Sequence, residues 1–260
     1  MQTVILCGGL GTRLREETEF RPKPMVRIGP KPILWHIMKI YAAHGHTEFV
    51  LPLGYKGEMI RDFFVNYEWV NNDITIELGK ATSFCQHNCH EEAGWKITLS
   101  DTGPKALKGG RIKRIEKYIE GDTFMLTYGD GVANVDINAL IDFHKKHGRL
   151  ATLTGVNPMA RFGELKIEGD TVRTFHEKPD STSSESLING GFFVLNREIF
   201  DFLEDSDSCD LEYGLLDKLA SEGELMVRPH KGFWACMDTL RDTEHLNGLW
   251  NSGKAAWKVW

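Results

Sequence analysis

Long apolar runs are absent from this 260-residue chain, so a bilayer-spanning helix, which needs about 20 apolar residues, is not expected. An excess of positive charge is absent too: 31 Lys and Arg stand against 37 Asp and Glu, for a net charge of −6. Proteins that neutralise a nucleic-acid backbone carry a basic face, so neither nucleic acid nor an anionic membrane is expected as a partner. An acidic protein that handles phosphates must instead recruit a metal or gather its few cations locally. Cysteine is sparse and odd in number, with Cys7, Cys85, Cys89, Cys209 and Cys236 showing no secreted-scaffold spacing. No charged leader or long apolar segment precedes Thr3-Val4-Ile5-Leu6, and the expectation is a reduced, soluble, cytoplasmic protein. Internal repeats are lacking. The only linker-like stretch, residues 179–186, is short enough to be a surface loop.

What is present is an ordinary globular composition, 41% hydrophobic and 26% charged, enough for one large α/β domain over residues 1–260. Short apolar runs alternate with helical periods, the pattern of a mostly parallel sheet covered by helices. Strands are expected at 3–7, 48–53, 74–78, 95–99, 123–128, 150–156, 164–168, 171–177 and 188–195. Helices are expected from Pro32 to Gly45, at 57–67, 110–119, 197–204, 210–222 and 239–251, and after Asp136, a plausible N-cap. The alternation weakens after residue 160, so extra β elaboration is expected in the C-terminal half. His144 and His147 read as polar residues facing the dipole at a helix C-terminus. The tail 249–260 carries Trp250, Trp257 and Trp260, which suit either docking on the chain's own core or a subunit contact.

The sharpest signal is Leu6-Cys7-Gly8-Gly9-Leu10-Gly11-Thr12-Arg13-Leu14, directly after the first strand. Glycines there allow a tight turn and bring backbone N–H groups against phosphate oxygens. A P-loop would need Gly-Lys-Ser/Thr where Gly11-Thr12-Arg13 stands, and the dinucleotide pattern meets Leu14 where its third glycine belongs. That miss argues against a dinucleotide oxidoreductase. Arg13 and, a little later, Lys23 in Arg21-Pro22-Lys23-Pro24-Met25 remain. The two prolines stiffen the chain around Lys23, and a guanidinium fork plus an ammonium give two ways to hold phosphate.

Two carboxylates follow. Asp130, in Tyr128-Gly129-Asp130-Gly131, ends a mid-chain strand, and ligand crevices in open α/β sheets lie beyond strand carboxyl ends. Asp238, in Cys236-Met237-Asp238-Thr239, suits either a helix N-cap or a metal ligand. Asn189-Gly190-Gly191 suits hydroxyl recognition, and a β-bulge would read the same way. Cys85-Gln86-His87-Asn88-Cys89-His90 lacks a second ligand pair at zinc-site spacing and reads as a solvent-exposed excursion.

The glycine turn with its arginine, followed by Pro22-Lys23-Pro24-Met25, resembles the signature of the sugar-1-phosphate nucleotidyltransferase superfamily, and the similarity runs over essentially the whole chain. It implies a Rossmann-like α/β sheet, a nucleotide-binding half at about 1–131 and a sugar-phosphate-binding half at about 132–240. It also implies that Leu6 to Thr12 and Gly129 hold the nucleotide while Arg13 and Lys23 grip the triphosphate. Asp130 and Asp238 would together bind Mg²⁺. Lys178, fixed by Pro179, would meet the sugar phosphate, and Asn189 and Gly190 would line the hexose pocket. Asp101-Thr102-Gly103, Gly109-Gly110-Arg111, Gly54-Tyr55-Lys56-Gly57 and Met237-Asp238-Thr239-Leu240-Arg241-Asp242 are similar to the glucose-1-phosphate cytidylyltransferase branch. The substrates implied are CTP and glucose 1-phosphate, with Arg111 reaching the triphosphate and the product feeding deoxysugars of surface polysaccharides. UTP, dTTP and a nucleotide-sensing homologue are the alternatives. A homo-oligomer, trimer or hexamer, is implied as well. Lys108 departs from the pattern, since a small hydroxyl residue is expected before the paired glycines, and Ala256 departs where proline is expected.

Overall fold

The computed structural model describes residues 1–79, 84–87, 90–157, 164–168, 171–176 and 187–260. Its centre is a mixed eight-stranded sheet. Four strands form the parallel part: β1 (Thr3–Leu6), β2 (Glu48–Leu53), β3 (Lys96–Asp101) and β4 (Thr123–Tyr128). β1 is central, paired with β4 on one side and β2 on the other, and β3 lies outside β2. Such continuous apolar strands suit a parallel sheet covered on both faces. The second part is built from β6 (Ala151–Val156), β7 (Ile188–Asn189), β8 (Phe193–Asn196) and β9 (Leu225–His230). β8 joins β4 antiparallel, β6 pairs antiparallel with β7 and β8, and β9 runs parallel to β6. Between the two parts in sequence, β5 (Gly131–Ala133) leaves the main sheet and pairs with β10 (Trp234–Cys236).

Alternation along β1 divides the core. Ile5 joins an apolar cluster with α1 (Ile33–Ala43) and α4 (Ile137–His147) on one face. Val4 and Leu6 face the opposite cluster, which includes Ile112 of α3 (Lys108–Arg114) and Phe200. Two longer helices, α2 (Gly57–Val65) and α5 (Leu240–Asn251), complete the set that the site depends on.

Local signals explain the helix limits. Asp136 accepts from the Ala139 N–H at 2.9 Å, the cap expected for α4. The expected 57–67 helix stops at Asn66 and resumes as Tyr67–Asn71. The expected strand 188–195 is split between β7 and β8, with Phe192 in a left-handed conformation at φ 47°. Segment 210–222 starts as a π-helical turn, Leu211–Leu216, before Asp217–Ser221 turns α-helical. His144 corrects the dipole reading: it is buried, with Nδ1 2.9 Å from Thr152 Oγ1 and Nε2 2.9 Å from Asn196 Oδ1. Burial holds its ring below the ordinary histidine range. A neutral ring tied into a hydrogen-bond network contributes no cation to the helix end.

The tail folds back onto α1. Trp257 is fully buried and donates to His36 Nδ1 at 3.4 Å. Trp250 and Trp260 pack around the same ring, 4.7 and 6.1 Å between centroids. No helix among the described residues is long and apolar enough to cross a membrane.

Candidate active site

The site begins where β1 ends. The Cys7 N–H donates to Pro52 O at 3.2 Å, holding the chain against β2 before it turns. Gly11 then takes φ 63°, a left-handed conformation that costs glycine least, and leads into the tight turn Thr12–Leu14. Gly8 has a different reason to be glycine. A β-carbon there would sit 2.3 Å from the Arg111 guanidinium.

Arg111 is buried beneath this turn. Its Nη1 donates to Leu53 O, Thr102 Oγ1 and Gly103 O at 3.0, 2.8 and 2.7 Å, and its Nη2 to Gly8 O at 3.0 Å. The guanidinium thus ties the glycine turn to the ends of β2 and β3. Burial first, then the nearby Arg114, lower its pKa, and the surrounding carbonyl dipoles compensate the buried charge. It still borders the cavity described below.

Lys23 sits in the 3₁₀ turn Lys23–Met25, entered from an extended Pro22, and only 9% of it is exposed. Its ammonium lies 2.6 Å from Asp130 Oδ2 and 2.5 Å from Asp238 Oδ1. Burial pulls its pKa down, but the charge of Asp130 and hydrogen bonds to Asp130 and Asp238 outweigh this and leave it raised. Lys23 is therefore charged and serves as the cation between two carboxylates.

Those carboxylates meet because of the small β5–β10 ribbon. Gly131 pairs with Cys236, and the Met237 N–H donates to Asp130 O at 2.9 Å. Residues 108 apart in sequence are thereby brought side by side. The competing cap role of Asp238 is filled by its neighbour: Thr239 accepts from the Asp242 N–H, and Asp242 returns the bond to the Thr239 N–H. The Asp238 carboxylate instead turns inward, where Arg13 also reaches it at 2.7 Å.

Among the described residues, Asp130, Cys236 and Asp238 form a group whose ligand atoms all lie within 4.8 Å of one another. Two carboxylates held by the Lys23 ammonium and the Arg13 guanidinium are hard oxygen donors of the kind Mg²⁺ takes. The Cys236 thiol, pushed up by burial and then by Asp130, is a neutral neighbour unsuited to a hard cation. The residues present therefore fit a divalent oxygen-seeking ion.

A cavity of about 310 Å³ opens beside this group. It is lined by the glycine turn (Leu6, Gly8, Gly9, Gly11, Thr12), Arg13, Lys23, Arg111, Gly129 and Asp130, together with Ala106, Leu107, Lys108 and Tyr128. Leu10 is exposed, and Cys7 is buried behind the turn with its thiol pushed well above the ordinary value. Asn189 and Gly190 stand apart from the lining. Asn189 Nδ2 donates to the Tyr128 hydroxyl at 2.9 Å, which connects it to the cavity wall, and Gly190 O accepts from Trp234 Nε1 at 2.8 Å. Lys178 lies outside the described residues, as does Cys89. Cys85 is exposed, and His90 Nε2 sits 3.0 Å from Glu68 Oε1. Sequence reasoning missed Glu212, which accepts from both Lys108 and Tyr128. Lys108, which departs from the family pattern, was the one available pointer to it.

Residues 2–242 match the nucleotidyl transferase family. The chain is 51% identical, over 100% of both proteins, to the glucose-1-phosphate cytidylyltransferase of Salmonella typhi, and equally to that of Salmonella typhimurium. Its fold is similar to the crystal structure of HddC from Yersinia pseudotuberculosis, with a TM-score of 0.70 and 25% identity over 96% of this chain and 99% of that one. A Rossmann-like sheet, a glycine turn bearing an arginine and a full-length likeness to named enzymes agree, and the chain belongs to the nucleotidyl transferase family.

Proposed function

We propose that this enzyme transfers the cytidylyl group of CTP to α-D-glucose 1-phosphate, giving CDP-glucose and pyrophosphate. The observation that carries the reading is the meeting of Asp130 and Asp238 around a cation beside the glycine-turn cavity. The likeness to full-length cytidylyltransferases supports the choice of base and sugar.

In this mechanism an oxygen of the sugar phosphate attacks the α-phosphorus in line. The new P–O bond forms as the bond to the β-phosphate oxygen breaks, and pyrophosphate leaves. The attacking oxygen is already anionic, so no general base is needed, and the burden falls on positioning and charge neutralisation. Backbone N–H groups of the glycine turn orient the triphosphate, and Arg111 fixes that turn from below. Arg13 and Lys23 offset charge on the departing pyrophosphate. Asp130 and Asp238 would hold Mg²⁺, which when bound draws the two anionic reactants together. Lys23 would then exchange carboxylate partners for phosphate oxygens. Lys178 meets the sugar phosphate and Asn189 and Gly190 the hexose, roles that rest on the family likeness. The whole chain acts as one domain, and it assembles as a homo-oligomer, trimer or hexamer.

Pyrophosphate release from glucose 1-phosphate with CTP, UTP, dTTP and ATP in parallel is the test. The expected result is turnover with CTP at least about tenfold above the others, a discrimination of roughly 1.4 kcal/mol. Equal or greater turnover with another triphosphate would overturn the base assignment, and none with any triphosphate would overturn the function.

A further inference from the structure

Between the nucleotide cavity and Asn189 stands one aromatic ring, lining the cavity and held by its neighbours at the edge, one face and the tip. Tyr128 is the last residue of β4. Its ring meets Phe193 edge-on at 5.8 Å and lies under the Lys108 ammonium, 5.2 Å from the ring centroid. At its tip the hydroxyl donates to Glu212 Oε1 at 3.0 Å and accepts from Asn189 Nδ2 at 2.9 Å. Lys108 donates to that same Glu212 oxygen. The four side chains come from β4, β7, α3 and the π-helical turn Leu211–Leu216. Single π turns are rare inside helices and recur at functional sites.

This arrangement has a definite chemical consequence. A phenol can donate one hydrogen bond and accept others. With its proton committed to Glu212, the Tyr128 oxygen is left as an acceptor, and it turns the amide of Asn189 toward itself. Asn189 Oδ1 is spent on the Gly191 N–H at 2.9 Å, so the Asn189 side chain is fixed at both ends. We propose that Glu212 and Lys108 form a latch that sets Tyr128 as the partition between nucleotide and sugar subsites and, through Tyr128, orients Asn189 for the hexose. Glu212 is a positioning residue, since it reaches the sugar only through other side chains. The inference rests on the functional reading above, which places the hexose beside Asn189.

Titration calorimetry of CDP and CDP-glucose in Mg²⁺ buffer reports on the hexose, and because CDP also carries one more phosphate charge, the change in their affinity ratio between variant and wild type is what isolates it. Wild-type protein should bind CDP-glucose more tightly than CDP. Glu212→Ala should shrink that ratio about fivefold, the worth of one ordinary hydrogen bond, and leave CDP affinity within about twofold. Glu212→Gln, whose amide oxygen still accepts from Tyr128, should restore most of the ratio, and Lys108→Met should cost about twofold. A ratio unchanged in Glu212→Ala, an equal loss for both ligands, or no rescue by glutamine would overturn the latch while leaving the function standing. Wild-type protein that binds CDP but gains nothing from the glucose would refute the placement of the hexose, and the latch with it.

Discussion

Two buried polar centres in this molecule solve the same problem in opposite ways. At the β5–β10 ribbon, Lys23 is almost buried and keeps its charge because two carboxylates lie within 2.6 Å of its ammonium. At the docked tail, His36 is fully buried and gives its charge up: burial holds its pKa down to about 4 against the usual 6.5. Its Nε2 bonds Ile28 O at 2.9 Å while Nδ1 accepts from Trp257, so the neutral ring is satisfied and a second proton would face an N–H. Burial alone decides neither outcome. The partner does, and only the charged centre holds ions that can be exchanged for those of a substrate.

The largest effect is expected from removing the shared cation. Lys23→Met leaves Asp130 and Asp238 facing each other with only the exposed Arg13 as a counter-charge, and should cost about 3 kcal/mol of unfolding free energy in urea at pH 8, discounted for the part-exposed Asp130. A loss under about 1 kcal/mol would place Lys23 outside the electrostatics of the pair.

The neutral centre should show itself in pH. Between pH 6.5 and about 4 the unfolded chain binds a proton that folded His36 refuses, so stability is full above 6.5 and falls as pH drops through that window. The contribution is bounded at roughly 3 kcal/mol. His36→Gln should flatten the profile, and an unchanged slope would contradict the assignment of a neutral, refusing ring.

These two centres were not equally legible. The glycine turn, Lys23 between its prolines and Asp130 at a strand end all carry local chemistry, and the strands Glu48–Leu53 and Thr123–Tyr128 read at their observed limits because each is a short apolar run ended by a turn. Asp238 was open between cap and ligand. Only the Thr239–Asp242 capping box, itself visible three residues apart, moves the cap off it. His144 reads from the sequence as a polar residue facing the helix dipole because nothing local announces Thr152 and Asn196 as its partners. The split at Phe192, the π turn at Leu211–Leu216 and the meeting of Lys108 with Glu212 depend on contacts up to 104 residues apart. Tertiary packing overrides the local pattern at such places.

Smaller effects sharpen the comparison further. Arg111→Lys replaces a fork bonded to five strand-end and loop acceptors with a point charge, and should cost about 2 kcal/mol while raising the KM for CTP more than that for glucose 1-phosphate. Equal rises in both would argue against a loop-bracing role. At the bottom of the scale, Lys96 pairs with Glu48 at 3.7 Å on the surface. Lys96→Ala should change stability by no more than about 0.5 kcal/mol, which calibrates the buried pairs.

The central claim is that Asp130 and Asp238 make one cation site. Calorimetric titration of Mg²⁺ or Mn²⁺ into wild-type, Asp130→Asn and Asp238→Asn proteins, with CTP present, tests it most directly. The account expects one ion per chain in the wild type and at least about tenfold weaker binding in each variant, with circular dichroism unchanged. Wild-type affinity in either variant would show that the two carboxylates do not share an ion.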